Sequence, residues 1–329
     1  MIKNIETTVI DAGGRYGLHP SWKSFTGELK YFLFEPDHDE ASRLEQKYIR
    51  RSNEIKVMDC ALLDKKGTTR LFLFHNLAMS SCYRRNPVSP LYKNERLSQE
   101  NVVGHRDVQT TSIDSFCEEN QISLDFMKLD TEGSEYTILQ GAKSQLLHNV
   151  LGVRCEVSFD YVFENMPLFS AIHDFMLTHG FFLLNLDYIG KGDYCNEFVE
   201  VNGRYGVLIA CDGVWLKRSE SLFNPISTHE DLIEIRVLKY AAFCLNNQAS
   251  DLAIDILLQG RKNLTLDFNK LNETRLYKFL DIAIHKLFYN LKWQPGQSLE
   301  KHKQIYFGIF NKPMMEMHEY NQSLELNPD

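Results

Sequence analysis

The sequence predicts an α/β fold, in which helices cover both faces of a mainly parallel sheet, followed by an α-helical C-terminal third. Three observations favour this class. Short apolar segments typical of buried strands alternate with helix-like segments as far as about residue 217. The first of these strands runs directly into a glycine turn. From about residue 224, apolar residues recur at helical spacing instead.

Length and charge restrict the class of protein further. The 329 residues suffice for one large α/β domain and a smaller companion. With 36 basic and 44 acidic residues the net charge is −8, so no nucleic-acid partner is expected. The seven cysteines lack a Cys-x-x-Cys pair, which is typical of a reducing, cytoplasmic location. No apolar run reaches membrane-spanning length, so no membrane span is expected.

Strands are predicted wherever a short apolar run lies between polar or turn-forming residues. A turn ending at Gly67 leads into the fourth of these runs, and residues 75–106 read as polar and irregular. The predicted strands and extended segments are 7–12, 30–35, 55–58, 71–74, 108–111, 124–129, 152–157, 181–186 and 207–216.

Helices are predicted between these strands from capping residues and apolar spacing. Asp37 followed three residues later by Glu40 resembles a capping box. Thr111 or Ser112 can cap the next helix, and Gly141 is a natural end for the one after it. The predicted helices are 19–28, one opening at 37–40, a short one after 112, 134–139 and 168–179.

The helical spacing near the C-terminus predicts a domain boundary. Residues 1–220 are expected to form the cofactor-binding domain, and 221–329 a helical extension of three or four helices. An apolar face on such an extension would favour a homodimer or docking of a partner.

Acidic residues fall at or near the ends of five predicted strands. In a parallel sheet these ends share one edge, where ligands bind. The sequence therefore predicts one polar rim, formed by Asp11, Glu35, Asp59, Asp130 and Glu156.

The glycine turn is the first part of this rim. Gly13, Gly14 and Gly17 form Gly-Gly-x-x-Gly, which lets the main chain turn sharply and approach a ligand. Asp11 before the turn would repel a pyrophosphate but suits a cation, which favours S-adenosylmethionine over NAD. The plain alternative is a strand-to-helix turn without a ligand. The predicted contacts here are Asp11, Ala12, Gly13, Gly14, Tyr16 and Gly17.

A second group of predicted contacts completes the cofactor site. Glu35 lies about 20 residues past the glycines, the separation at which a carboxylate accepts hydrogen bonds from a ribose diol. Otherwise it is a solvated carboxylate before the helix-initiating Pro36. Cys60 and Ala61 are expected to border the adenine, and Ser80 to approach the cofactor or the acceptor.

The segment 128–135 is the densest polar cluster. Asp130 follows a buried strand and, like Pro36, is a predicted cofactor contact, and Glu132 lies near a helix start. With Glu156 they form the predicted catalytic set, in which a carboxylate accepts a substrate proton or the cluster holds Mg²⁺. The choice between base and metal stays open, as does the alternative of an acidic helix start without chemistry.

These motifs together resemble the FkbM family of S-adenosylmethionine-dependent methyltransferases, over residues 7–217. The resemblance implies a class I methyltransferase fold, a Rossmann-like three-layer sandwich with a seven-stranded sheet whose last strand is antiparallel. It also implies methyl transfer to oxygen, often on a sugar or polyketide hydroxyl. One departure is the glycine loop, where the family usually has Gly-Ala-Asn-x-Gly. The resemblance rests on 9–13, 34–37, 61–67, 111–114, 128–135, Gly141 and Glu156.

Three functions follow as hypotheses. The first is an O-methyltransferase whose acceptor is a sugar, a glycan or a related small molecule. The second is a nicotinamide-dependent oxidoreductase, which explains the glycine loop and Glu35 but not Asp130, and the chain has no Tyr-x-x-x-Lys pair. The third is a non-catalytic interaction protein with a degenerate methyltransferase domain.

Overall fold

The structure, a computed structural model, describes residues 5–25, 28–87, 89, 102–192, 207–223, 233–264, 266–290 and 298–315. By residue contacts the chain forms two units. The larger comprises 7–20 and 29–229, and the smaller comprises 1–6, 21–28 and 230–329. The boundary between the cofactor-binding domain and the helical extension, placed between residues 220 and 221, stays a prediction. None of the described helices is long and apolar enough to cross a membrane.

The larger unit contains a seven-stranded sheet in the order β3-β2-β1-β7-β8-β10-β9 and a three-stranded sheet in the order β4-β6-β5. In the larger sheet β10 runs antiparallel to both neighbours, and the other pairings are parallel. This confirms the predicted fold class. The strands are β1 Thr7–Ala12, β2 Leu29–Phe34, β3 Ile55–Met58, β4 Ala61–Leu62, β5 Gly67–Phe74, β6 Val102–Thr111, β7 Phe126–Leu129, β8 Gly152–Ser158, β9 Phe181–Gly192 and β10 Val207–Lys217.

The helices begin at the predicted caps. The Asp37 carboxylate accepts from the Asp39 N–H, and the Ser112 hydroxyl oxygen accepts from the Ser115 N–H. Glu40 bonds to the Arg43 side chain and does not close a capping box. The α-helices are α1 His38–Tyr48, α2 Ile113–Asn120, α3 Glu135–Gln140, α4 Lys143–His148, α5 Phe169–Thr178, α6 Ser219–Phe223, α7 Ile233–Asn246, α8 Ser250–Leu264, α9 Arg275–Asn290 and α10 Leu299–Phe310.

The two faces of the large sheet differ in polarity. One face is apolar and packs against α2, α3 and α5, with Ile10, Phe34 and Leu129 in its core. Side chains alternate between the faces of a strand, so residues paired in register share a face. Asp11 pairs with Lys128, and Lys128 with Arg154, which places a row of charges on the opposite face.

The small sheet was not predicted as a separate sheet. The sequence predicts strands at 71–74 and 108–111, but they pair with each other in β5 and β6. The expectation that residues 75–106 are irregular is wrong for its last part, because β6 begins at Val102. Most of its first six residues are solvent-exposed, so the strand lacks the apolar pattern of a buried one.

The expected helix 19–28 is also different. A 3-10 helix at Pro20–Phe25 replaces it, and residues 21–28 group with the C-terminal helices α7–α10. The fully buried Trp22 ring stacks on Phe243, with ring centroids 5.7 Å apart. The Glu28 carboxylate accepts from the first N–H groups of α9, at 3.1 Å from Arg275 and 3.2 Å from Leu276. These contacts with the C-terminal helices stabilise the observed conformation more than the weak helical pattern of the segment favours an α-helix.

Candidate functional site

An open cavity lies at the carboxyl ends of the parallel strands. Residues at or just past the ends of β1, β2 and β7 line it, as do residues of the small sheet and of the loop after it. This is the place at which open α/β sheets bind ligands. Seven of the twelve predicted cofactor contacts line the cavity, namely Ala12, Gly13, Glu35, Pro36, Ala61, Ser80 and Asp130.

The glycine turn brings two strand ends together. Gly13 has φ +78°, and a Cβ atom there would lie 1.7 Å from the Asp130 carbonyl oxygen. Glycine is therefore required both by the backbone conformation and by the close approach of the two loops. The other loop residues predicted as contacts do not line the cavity: Gly14 faces Leu33, Gly17 faces Tyr48, and Tyr16 is 80% exposed.

Asp11 has a different position from the one predicted. It is 1% exposed and does not line the cavity. The Tyr31 hydroxyl donates to one carboxylate oxygen, and the Lys128 Nζ lies 3.5 Å from the other. Burial raises the pKa of Asp11, and Lys128 and Tyr31 oppose that rise. Its carboxylate therefore holds the buried Lys128, so a direct contact with the cofactor does not follow from this geometry.

Glu35 lies where a ribose-binding carboxylate is expected. It follows β2 directly, lines the cavity and is 5% exposed. Its Oε1 accepts from the Asp37 N–H at 2.9 Å. Burial raises the pKa of Glu35 to about 7, although this N–H and the Arg15 guanidinium both lower it. The carboxyl group therefore titrates near neutral pH.

Two charged residues beside Glu35 were missed by the sequence analysis. Arg15 and Asp37 both line the cavity. Arg15 Nη1 and Nη2 each lie 3.3 Å from Asp37 Oδ2, and Arg106 Nη1 lies 3.3 Å from Oδ1. Asp37 was interpreted only as a helix cap, and nothing in the spacing of the three residues indicates that they meet.

The wall formed by the small sheet is mostly apolar. Ala61, Leu62 and Leu71 line it, whereas the predicted Cys60 does not. Among the described residues the Ser80 hydroxyl oxygen is buried without a hydrogen-bond partner, so it can bond to a polar atom of a ligand. Three further lining residues here, Leu77, Ala78 and Cys82, follow β5 and were missed because the position of this sheet was not predicted.

The loop after β7 is fixed by hydrogen bonds. The buried Glu135 carboxylate accepts from the Thr131 N–H at 2.6 Å, the Thr131 hydroxyl at 2.8 Å and the Gly133 N–H at 3.0 Å. Glu132 lies in the left-handed region with φ +57°, and the Ser81 hydroxyl donates to its carbonyl oxygen. Glu135 thus holds the loop in shape, while Glu132 is placed at the cavity.

The three predicted catalytic carboxylates lie together. Asp130, Glu132 and Glu156 each have a carboxylate oxygen within 4.8 Å of the others. The first two line the cavity, and Glu156 stands beside them on β8. Lys128 Nζ lies 3.0 Å from Asp130 Oδ2, and within the described residues no ion pair joins Glu132 or Glu156.

The clustering has a strong electrostatic effect. Burial raises the pKa of Glu132, with Asp130 and Glu135 adding to the rise and Arg85 opposing it. Burial also raises the pKa of Glu156, with the charges of Glu132 and Asp130 adding to it. Both shifts favour the protonated forms of Glu132 and Glu156. The carboxylate oxygens of the cluster also match the ligand preference of a hard divalent cation.

The site has the parts that an adenosyl group needs. A glycine turn allows close approach, Glu35 offers two acceptor oxygens, and an apolar wall with the unpaired Ser80 hydroxyl stands opposite. The large sheet has a single antiparallel strand, β10, which is the last strand in the sequence. This sheet and the site at its edge are those of a class I methyltransferase fold.

Comparison with known proteins agrees with this class. The model of the methyltransferase FkbM domain matches residues 11–183. The chain belongs to the FkbM methyltransferase family. No curated protein gives a significant match.

Solved structures of methyltransferases give matches at low sequence identity. The methyltransferase FkbM from Methylobacillus flagellatus is 14% identical with a TM-score of 0.36, and the match covers 66% of this chain and 44% of that one. This chain thus spans less than half the length of that protein. An rRNA methylase from Streptococcus thermophilus is 10% identical with a TM-score of 0.32, covering 66% and 89%. The N-terminal domain of human METTL16 in complex with SAH is 12% identical with a TM-score of 0.33, covering 66% and 64%.

Proposed function

We propose that this protein is an S-adenosylmethionine-dependent O-methyltransferase that acts on a hydroxyl group of a sugar, a glycan or a related small molecule. The observation that carries the proposal is the arrangement of acids around one cavity. Glu35 lies at the end of β2, and the cluster of Asp130, Glu132 and Glu156 lies at the ends of β7 and β8. One set suits a ribose, and the other suits a reacting hydroxyl.

The cofactor, when bound, supplies a methyl group activated by a positively charged sulfur. Glu35 would accept hydrogen bonds from both ribose hydroxyls, and Leu62 and Leu71 would pack on the adenine. Asp130 adds a negative charge near the sulfonium, which favours the methyl donor over its neutral product.

The acidic cluster would prepare the acceptor. Glu132 or Glu156 would accept the proton of the acceptor hydroxyl group. The bound cofactor would supply the methyl group that the oxygen receives, and its sulfur would keep the electron pair of the broken carbon–sulfur bond. A raised pKa suits this role, because a base works best when its pKa lies near the working pH. Such a base contributes roughly 10²–10⁴-fold in rate, and alignment of acceptor and donor supplies most of the remainder.

A Mg²⁺ ion is the alternative use of the same cluster. Three carboxylates provide the oxygen ligands that this ion prefers, with water completing the shell. Thermal unfolding and methyl transfer measured with MgCl₂ and with EDTA separate the two uses. A base alone predicts equal activity in both, and a required ion predicts loss of activity in EDTA.

The proposed function is tested first by calorimetry with S-adenosylhomocysteine. Binding is expected, and NAD⁺ is expected not to bind. Transfer of a labelled methyl group to a panel of sugars and glycans then tests the acceptor class. Binding of NAD⁺ in place of S-adenosylhomocysteine would indicate an oxidoreductase, and cofactor binding without transfer to any acceptor would indicate an interaction protein.

A further inference from the structure

The residues around Asp37 join three parts of the chain beside the cavity. Arg15 comes from the glycine loop, Asp37 caps α1, and Arg106 comes from β6. Both arginines are 3.3 Å from the Asp37 carboxylate, one on each oxygen, and the side chain of Asp37 is only 8% exposed. We call these three residues the Asp37 clasp.

The clasp is connected to Glu35 through the main chain. The Asp37 N–H donates to Glu35 Oε1 at 2.9 Å, so any shift of Asp37 moves the donor that holds the Glu35 carboxylate. The arginine of the glycine loop also acts directly, since its positive charge favours the ionised form of Glu35. The charges of Asp37 and Glu40 act in the opposite direction.

The two arginines differ in their access to the ligand. Arg15 lines the cavity and its side chain is 19% exposed, whereas Arg106 touches Asp37 without lining the cavity. A guanidinium group has several N–H donors in a fixed plane, so two of them can hold Asp37 while the charge stays beside Glu35. Lysine would keep the charge but lose this geometry.

We propose that Arg15 is a cofactor-positioning residue, which acts through the Asp37 clasp to hold Glu35 in place for the ribose. The inference rests on the proposed function, because it assumes that Glu35 binds a ribose. The proposed role adds Arg15, a residue of the glycine loop, to the cofactor site.

The test measures S-adenosylhomocysteine binding by calorimetry at pH 7.5 for wild type, Arg15→Met, Arg15→Lys and Arg106→Met. Loss of one charge-assisted interaction is expected to weaken binding about tenfold in Arg15→Met. Arg15→Lys should recover part of the loss, and Arg106→Met should weaken binding less. Arg51→Met is the matched control, because Arg51 pairs with Glu54 outside the cavity.

A double-mutant cycle with Glu35→Gln separates positioning from a general structural effect. If Arg15 acts through Glu35, adding Arg15→Met to Glu35→Gln should weaken binding no further. Equal losses in both backgrounds would overturn the inference. Thermal unfolding of each variant establishes that it is folded, and the lysine variant keeps the test decisive if the methionine variant is not.

The pH dependence of binding gives a second readout. Wild-type affinity should fall as the pH drops below about 7, because protonated Glu35 accepts hydrogen bonds poorly. In Arg15→Met the midpoint of this fall should lie at higher pH, and in Glu35→Gln the fall centred near pH 7 should be lost. An unchanged midpoint in Arg15→Met would contradict the inference.

Failure of the inference differs from failure of the proposed function. If wild type does not bind S-adenosylhomocysteine, the proposed cofactor site is wrong. If wild type binds it, Glu35→Gln weakens it and Arg15→Met behaves like wild type, the site stands and the role of Arg15 is wrong.

Discussion

The two sides of the cavity use carboxylates in opposite ways. On the side of β1 and β2, Asp11 faces Lys128 and Tyr31, and Asp37 faces two arginines. On the side of β7 and β8, three carboxylates lie within 4.8 Å of one another, and Lys128 contacts the nearest of them. Partners that satisfy a carboxylate fix its position, whereas crowding without partners leaves it ready to take up a proton.

The largest expected effect is a loss of stability in the variant Asp11→Ala, on the side of β1 and β2 where the carboxylates have partners. Removing this carboxylate leaves Lys128 buried with Asp130 as its remaining partner. Breaking a buried ion pair costs about 3–5 kcal/mol, so the free energy of unfolding should fall by that amount. Urea denaturation measures it, with Glu119→Ala in an exposed ion pair as the control. A loss no larger than in the control would mean that Asp11 is not a structural partner of Lys128.

The next effect is on binding, in the variant Glu35→Ala. Two hydrogen bonds from ribose hydroxyls to a charged acceptor would be lost, which corresponds to about 2–3 kcal/mol, or roughly 100-fold in affinity. The fold should stay intact, because the Asp37 N–H is the only hydrogen-bond partner of the Glu35 carboxylate among the described residues. Calorimetry with S-adenosylhomocysteine measures the change. Affinity equal to that of wild type would place the ribose elsewhere.

On the crowded side, the variant Glu156→Gln is expected to be more stable than wild type. It removes one buried negative charge from a cluster, which should raise the free energy of unfolding by about 1 kcal/mol. If Glu156 is the base, methyl transfer should fall at the same time. Thermal and urea unfolding test the first part, and a destabilised variant would mean that the carboxylate is better satisfied than the described contacts indicate.

The smallest effect is the pH dependence of that gain. Burial and the neighbouring carboxylates raise the pKa of Glu156 in the folded protein, so folded wild type binds more protons than the unfolded chain as the pH rises above about 4.5. Wild-type stability due to this group therefore falls as the pH rises from about 4.5. The advantage of Glu156→Gln should be larger at pH 8 than at pH 5. An advantage independent of pH would show that Glu156 is not the titrating group.

Much of the fold was predictable from local patterns. The strand at 7–12, the caps Asp37 and Ser112, and the acids at the strand ends are local features, and the structure has them as expected. The family motif at 128–135 likewise indicated the place of the acidic cluster. These features depend on the sequence within a few residues, so they can be recognised without knowing which strands are neighbours.

The roles of individual residues depended on distant contacts. Asp11 turned out to face Lys128 because β1 and β7 are neighbours in a register that the sequence does not state. Gly141 was predicted to end a helix, and it is the C-cap of α3, with φ −85°. Glycine is needed there because a Cβ would lie 2.4 Å from the Leu63 carbonyl oxygen. The pairing of Asp37 with Arg106 likewise joins residues that are far apart in the sequence, so local patterns do not predict it.

The short segment Ser21–Glu28 has a consequence for how the protein can be divided. It lies between β1 and β2 in the chain, yet it packs with the C-terminal helices and caps α9 through Glu28. No single cut of the polypeptide can therefore release either unit whole. The Glu28 carboxylate and the two N–H groups that it caps are 247 and 248 residues apart in the chain, so this cap can form only after synthesis has passed Leu276.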